Sequence, residues 1–186
     1  MTVSDRAARD REEVPWRDDR GQDIVSSWHP PRLPAPEGRP HGSAAICFTP
    51  EGNVVLVSWP GVSWEFPGGR PQGDEDWRAT LEREVLEEAC ASVEEATLLG
   101  FMKMECVRGP SQGVALVRAV WRARVSLNPW EPRHETTGRL VASPNQALRL
   151  VELGSKFPPI YVRWMQEALA AERAAGGGSS DMPVSL

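Results

Sequence analysis

The chain has no apolar run long enough to cross a bilayer, and its first ten residues lack the apolar core of a secretory leader. Without either feature, it is expected in the cytoplasm and with no membrane partner. Cysteine is scarce. Cys47, Cys90 and Cys106 are odd in number and share no metal-type spacing, which argues against a disulfide framework or a zinc ribbon. Each reads as a small buried thiol in a reducing compartment. Positive charge is not in excess either: 21 Lys and Arg face 26 Asp and Glu, a net charge of −5 that speaks against generic nucleic-acid binding. No internal repeat is present.

What remains fits one domain: 186 residues with 40% hydrophobic content. Residues 1–22 mix charges of both signs with few aliphatics and read as a disordered tail, while 172–186 close in a Gly/Ser-rich flexible segment. The folded unit is expected over 23–171, with its core at 43–170. Five prolines between 29 and 40 predict extended chain. Ser43–Phe48 and Val54–Trp59 flank Thr-Pro-Glu-Gly-Asn, a hairpin signal. Asp76 is placed to cap a helix over 77–89, whose Leu81, Val85 and Ala89 form one apolar stripe. Strands are expected at 98–107 and 114–125, and helices at 144–151 and 158–171. Strands interleaved with helices define an α/β domain with a sheet covered on both sides.

The most informative segment is Gly69–Ala91, GRPQGDEDWRATLEREVLEEACA. Glu84, Glu87 and Glu88 recur at i, i+3 and i+4 and so share one helical face. An acidic run alone is usually a solvated surface. Here it follows Gly68-Gly69, has Glu75 at the helix entrance and places Arg83 beside Glu84. Clustered carboxylates repel one another, and their oxygens suit a hard divalent cation.

Gly69, five residues, Glu75, seven residues and Arg83-Glu84-Val85-Leu86-Glu87-Glu88 closely resemble the signature of the Nudix hydrolase family. The lead-in Trp64-Glu65-Phe66-Pro67 resembles it too. The resemblance implies an α/β/α sandwich around a central mixed sheet. It also implies hydrolysis of a nucleoside diphosphate linked to another group, with Mg²⁺ or Mn²⁺ as cofactor. On this reading Glu84 and Glu88 are the principal metal ligands, Glu87 completes the set and the Gly68 carbonyl adds an oxygen. Arg83 paired with Glu75 gives structural support. Glu135, on the loop before the penultimate helix, is the candidate general base, with Glu105 a weaker one. Cys90 stands where the family has glycine, at a helix end that favours a left-handed residue, so strain on the order of 1 kcal/mol is expected there.

Arg70, Trp64 and Arg108 are candidate substrate contacts. Trp28, Trp59 and Trp130 lie in or beside expected loops where an aromatic ring can stack on a base. Trp77, Trp121 and Trp164 read as packing. The substrate is left open among nucleoside triphosphates, sugar nucleotides, dinucleoside polyphosphates and a capped RNA end, and so is homodimer formation. The alternative is a non-catalytic Nudix-like module that senses a nucleotide, supported only by Cys90. An isoprenoid-diphosphate isomerase on the same fold would need a catalytic cysteine, and Cys47 lacks the context.

Overall fold

Two short apolar runs, AAICF and VVLV, lie at the centre of the molecule, as sequences without polar alternation must. The computed structural model describes residues 13–59, 64–132, 134–154 and 158–176. The first run belongs to β3 (Arg39–Phe48) and the second to β4 (Val54–Ser58). The other strands are β1 (Glu13–Arg17), β2 (Asp23–His29), β5 (Gly68–Gly69), β6 (Ala91–Arg108), β7 (Ala115–Leu127) and β8 (Gly138–Ala142). They form one sheet in the order β1-β2-β6-β7-β3-β4-β8, with β5 beside β3. The β3–β7 pair is parallel and the remaining pairs are antiparallel, so the sheet is mixed.

Alternation along β3 sends its side chains into two cores. Ala45 and Cys47 pack under helix α1 (Trp77–Ala89), against Leu81, Val85 and Ala89. Ala44, Ile46 and Phe48 pack on the opposite face, against Ala147 and Val151 of α2 (Pro144–Gly154) and Ile160, Trp164 and Ala168 of α3 (Pro158–Ala174). The α/β/α sandwich implied by the signature is the architecture found.

Helix α1 begins where Asp76 accepts a 2.8 Å hydrogen bond from the Ala79 amide. It ends at Cys90, which is left-handed (φ 45°, ψ 53°) and the one non-glycine residue with positive φ among those described. Arg139 holds this end together. Its Nη1 donates to the carbonyls of Ala89 and Cys90, both at 2.9 Å, and of Asn128 at 3.0 Å. A cation on the last carbonyls opposes the negative end of the helix dipole.

Several expectations are corrected. Residues 13–17, assigned to a tail from their charge mix, form β1, because Val14 and Trp16 turn inward while the charges alternate outward. Residues 1–12 and 177–186 lie outside the described residues. Strand β6 starts at Ala91 rather than 98. Its first turns pair with Arg122–Leu127, and a bulge between Val93 and Glu95 breaks the two-residue period that would reveal them. Helix α3 runs past 171 to Ala174 because Glu172 pairs with Arg124 at 3.0 Å and with the fully buried Arg122, which also reaches Glu95 at 2.7 Å. Trp28, considered a base-stacking candidate, is 1% exposed in the α3-side core and cannot meet a ligand.

Candidate active site

The site is built where β5 delivers Gly68-Gly69 against the middle of α1. A Cβ on Gly69 would fall within the Glu84 carboxylate, and one on Gly42 would strike the Gly69 carbonyl, so this close approach needs glycine at both positions. The Gly68 amide donates to Glu88 Oε2 at 2.9 Å. Glu84 and Glu88, one turn apart, therefore both face the Gly-Gly strand.

Arg83 organises the second carboxylate layer. Its Nε and Nη2 grip Glu75 at 2.7 and 3.0 Å, and its Nη1 lies 3.1 Å from Glu87 and 2.9 Å from Glu84. Nη2 also donates to the Arg70 carbonyl at 2.7 Å, fixing the chain that leaves β5. The Gln72 amide and the Thr80 hydroxyl complete the bonding of Glu75, at 3.0 and 3.2 Å. The Arg83 guanidinium, helped by the Gln72 amide, holds the Glu75 carboxyl down at about 2.

The two inner carboxyls behave in the opposite sense. Burial raises Glu84, although Arg83 opposes the shift. Burial first, then the neighbouring charge of Glu84, push Glu88 up to about 8 despite the Gly68 amide bond. Across from Glu88 stand two residues that the spacing did not single out, Glu65 and Arg118. Burial raises Glu65 and lowers Arg118. Arg118 is half-buried, and its Nε is enclosed with no hydrogen-bond partner among the described residues. No local motif marks Arg118, since strand pairing with Gly42 is what carries it here.

The other candidates fall in different places. Glu135 is exposed on the loop before β8, and its neighbour Thr136 donates a 2.9 Å hydrogen bond to the Glu88 carbonyl, so that loop is tied to the carboxylate end of α1. Trp64 packs against the α3-side core and beside Gly138. Arg108 sits at the end of β6 in a 2.6 Å ion pair with Asp23 and does not line the site. Glu105 is engaged by Lys103 at 2.7 Å. Trp59 packs on the α1-side core, and Trp130 lies under the Arg139 guanidinium at 5.2 Å. Burial pushes the Cys47 thiol up to about 12, which removes it as a nucleophile.

Among the described residues, no three His, Cys, Asp or Glu side chains close around one point. Glu84 and Glu87 lie on Arg83, and Glu88 lies on the Gly68 amide. The donor chemistry nonetheless fits a hard divalent ion. The donors are all oxygen, and the two carboxyls lie one turn apart against Gly68-Gly69, raised by burial despite Arg83 at Glu84.

A family model for the NUDIX domain matches residues 39–164. The chain belongs to the Nudix hydrolase family. Among solved structures it resembles the Bacillus subtilis pyrophosphohydrolase BsRppH, with a TM-score of 0.61 and 20% identity over 83% of this chain and 97% of that one. It also resembles a NUDIX hydrolase from Nitrosomonas europaea, with a TM-score of 0.57 and 20% identity over 73% of this chain and 90% of that one. At such identities the likeness is one of fold. No curated protein sequence matches the chain significantly. No described helix is long and apolar enough to cross a membrane.

Proposed function

We propose that the protein is a metal-dependent pyrophosphohydrolase that cleaves a nucleoside diphosphate linked to a further group. The observation that carries this reading is the Glu84–Glu88 pair, two partly desolvated carboxyls raised together against Gly68-Gly69. A group that raises its neighbour's proton affinity is poised to exchange that proton for a cation. Glu84, Glu88 and Glu87, with the Gly68 carbonyl, would hold Mg²⁺ or Mn²⁺, which supplies charge neutralisation on the phosphates and an acidified water.

The chain's own residues supply the frame. Arg83 and Glu75 keep the carboxylates in register, and the Gly68 amide fixes the Glu88 rotamer. Arg118, whose charge reaches Glu88, is the proposed cation for a phosphate oxygen. Glu135, held near by the Thr136 anchor, is the proposed base that takes a proton from the attacking water. The sensing alternative drew on Cys90. That residue ends α1 in the conformation glycine would adopt, with its carbonyl held by Arg139, so the substitution leaves the carboxylate frame in place.

The test is cleavage of nucleoside triphosphates, sugar nucleotides, dinucleoside polyphosphates and capped RNA with Mg²⁺ and with Mn²⁺, read as formation of the product nucleotides by chromatography, with Glu88→Gln as control. Turnover that the variant loses is expected. Equal turnover in the variant would refute the assignment of Glu88, and silence across the panel with nucleotide still bound would favour the sensor.

A further inference from the structure

A cavity of about 720 Å³ opens between the N-terminal hairpin and the chain that leaves β5. This volume lies within the range of small-molecule sites. One wall is the β1–β2 hairpin, which stands outside the 39–164 segment matched by the family model. The other wall is the start of β3 and the chain after β5, contributing Arg39, His41 and Arg70. Its floor is apolar, with Met104 and Leu116.

Two connections join it to the site already described. Arg70 directly follows Gly69 and accepts from Arg83 through its carbonyl. Leu116 and Arg118 lie two residues apart on β7, so the face that carries Arg118 toward Glu88 is the face that floors the cavity.

Its charge is unusual for a chain of net −5. The guanidinium groups of Arg39 and Arg70 make no ion pair or side-chain hydrogen bond among the described residues. The cavity's one acidic side chain, Asp18, is already satisfied by the Arg20 amide at 2.9 Å and by the Gln22 backbone and side-chain amides, both at 2.8 Å. The concentration of positive charge is felt at His41. Burial, then Arg118, Arg70 and Arg39, hold it down at about 4.

The hairpin wall is fixed by its own bonds. Gln22 Oε1 accepts from the Ser111 amide at 2.8 Å, and Trp16 Nε1 donates to Ser26 Oγ at 2.9 Å while its ring lines the cavity. An aromatic ring, an apolar floor and two uncommitted arginines together describe a receptor for a flat heteroaromatic group joined to an anion.

We propose that this cavity receives the nucleoside 5′-phosphate arm of the substrate, with Trp16 against the base and Arg39 and Arg70 on phosphate oxygens, so that the N-terminal hairpin sets substrate choice. The proposal rests on the pyrophosphohydrolase reading for its link to turnover, but binding can be measured without it. The first experiment is calorimetric titration of the metal-free full chain with adenosine and guanosine 5′-monophosphate, with inorganic phosphate for comparison. One nucleotide is expected to bind at least tenfold more tightly than phosphate. Trp16→Leu and Arg39→Ala are each expected to weaken it tenfold or more. Arg39 is exposed, so its variant should melt as the parent does, and Arg39→Lys should recover part of the loss.

Unchanged nucleotide affinity in both variants, or phosphate binding as tight as either nucleotide, would overturn the proposal. Nucleotide binding lost in the variants, with no hydrolysis by the parent, would sustain the cavity and reject the hydrolase. Hydrolysis with KM unaltered in Trp16→Leu and Arg39→Ala would do the reverse.

Discussion

Glu88→Gln should make the metal-free protein more stable while abolishing its activity. Glu88 is pushed up to about 8 because it is enclosed beneath Gly68 and beside Glu84. The folded state therefore binds a proton that the unfolded chain has already released, and stability falls as pH rises from 4.5 toward 8. At about 1.4 kcal/mol per tenfold, the ceiling on this cost is about 5 kcal/mol. Solvent reaches the half-buried side chain, and screening brings the figure to about 2 kcal/mol. Glutamine keeps the shape and an oxygen for the Gly68 amide, but carries no charge. For a chain of this size the gain corresponds to roughly 4–8 °C in melting temperature at pH 9 with chelator present, shrinking toward zero at pH 4. The assay is differential scanning calorimetry of both proteins at the two pH values, then with Mn²⁺ at pH 7.5. Mn²⁺ should raise the melting temperature of the parent and leave the variant nearly unmoved, because a ligand stabilises only the state that binds it. A variant less stable than the parent at pH 9, or equally advantaged at pH 4, would refute the account of Glu88 as an uncompensated carboxyl.

Four further outcomes are expected. Cys90→Gly should stabilise the fold by up to about 1 kcal/mol, since glycine adopts the left-handed conformation without strain; a lower melting temperature would show that the buried Sγ contributes more than the strain costs. Glu172→Ala should destabilise by about 2 kcal/mol, because it leaves the buried Arg122 with only the exposed Glu95 as its carboxylate partner, and a loss below about 0.5 kcal/mol in urea unfolding would contradict that role. His41 is neutral in the fold and held at about 4, so the unfolded chain takes its proton first and stability drops as pH falls from 6.5 toward 4. His41→Asn should flatten that part of the pH–stability curve, and an unaltered slope would exclude the residue as its source. Glu135→Gln should slow turnover tenfold or more without altering Mn²⁺ affinity, and an unchanged rate would return Glu135 to the role of a surface residue.

Legibility varied with the range of the interactions involved. Helix α1 was readable to its ends because its determinants are local: the Asp76 cap, the Leu81-Val85-Ala89 stripe and the left-handed position at Cys90. Strand β1 was hidden, because a half-exposed edge strand of five residues carries as many charges as a tail does. The first turns of β6 were hidden by a bulge that removes the period-two signal. The tryptophans were sorted only in part. Trp77 and Trp164 follow helical stripes, but Trp28 lies beside a proline-rich stretch that reads as loop, although β2 turns it into the core.

By itself the sequence determined the carboxylates and their partner. Residues three and four apart on a helix share a face whatever the rest of the chain does, and Arg83 reaches Glu87 one turn away for the same reason. It also determined that Gly68-Gly69 precede that helix, as a close approach of backbone to carboxylate demands. Only the tertiary structure decided what faces the cluster. Arg118 arrives from β7 by parallel pairing with β3, and Glu65 from the chain before β5, where it bridges Val57 of β4. The cavity wall comes from a hairpin that pairs Asp23–His29 with Phe101–Arg108, some eighty residues along the chain. Such encounters depend on strand register, which is set by burial across the whole sheet and leaves no mark in the local spacing of residues.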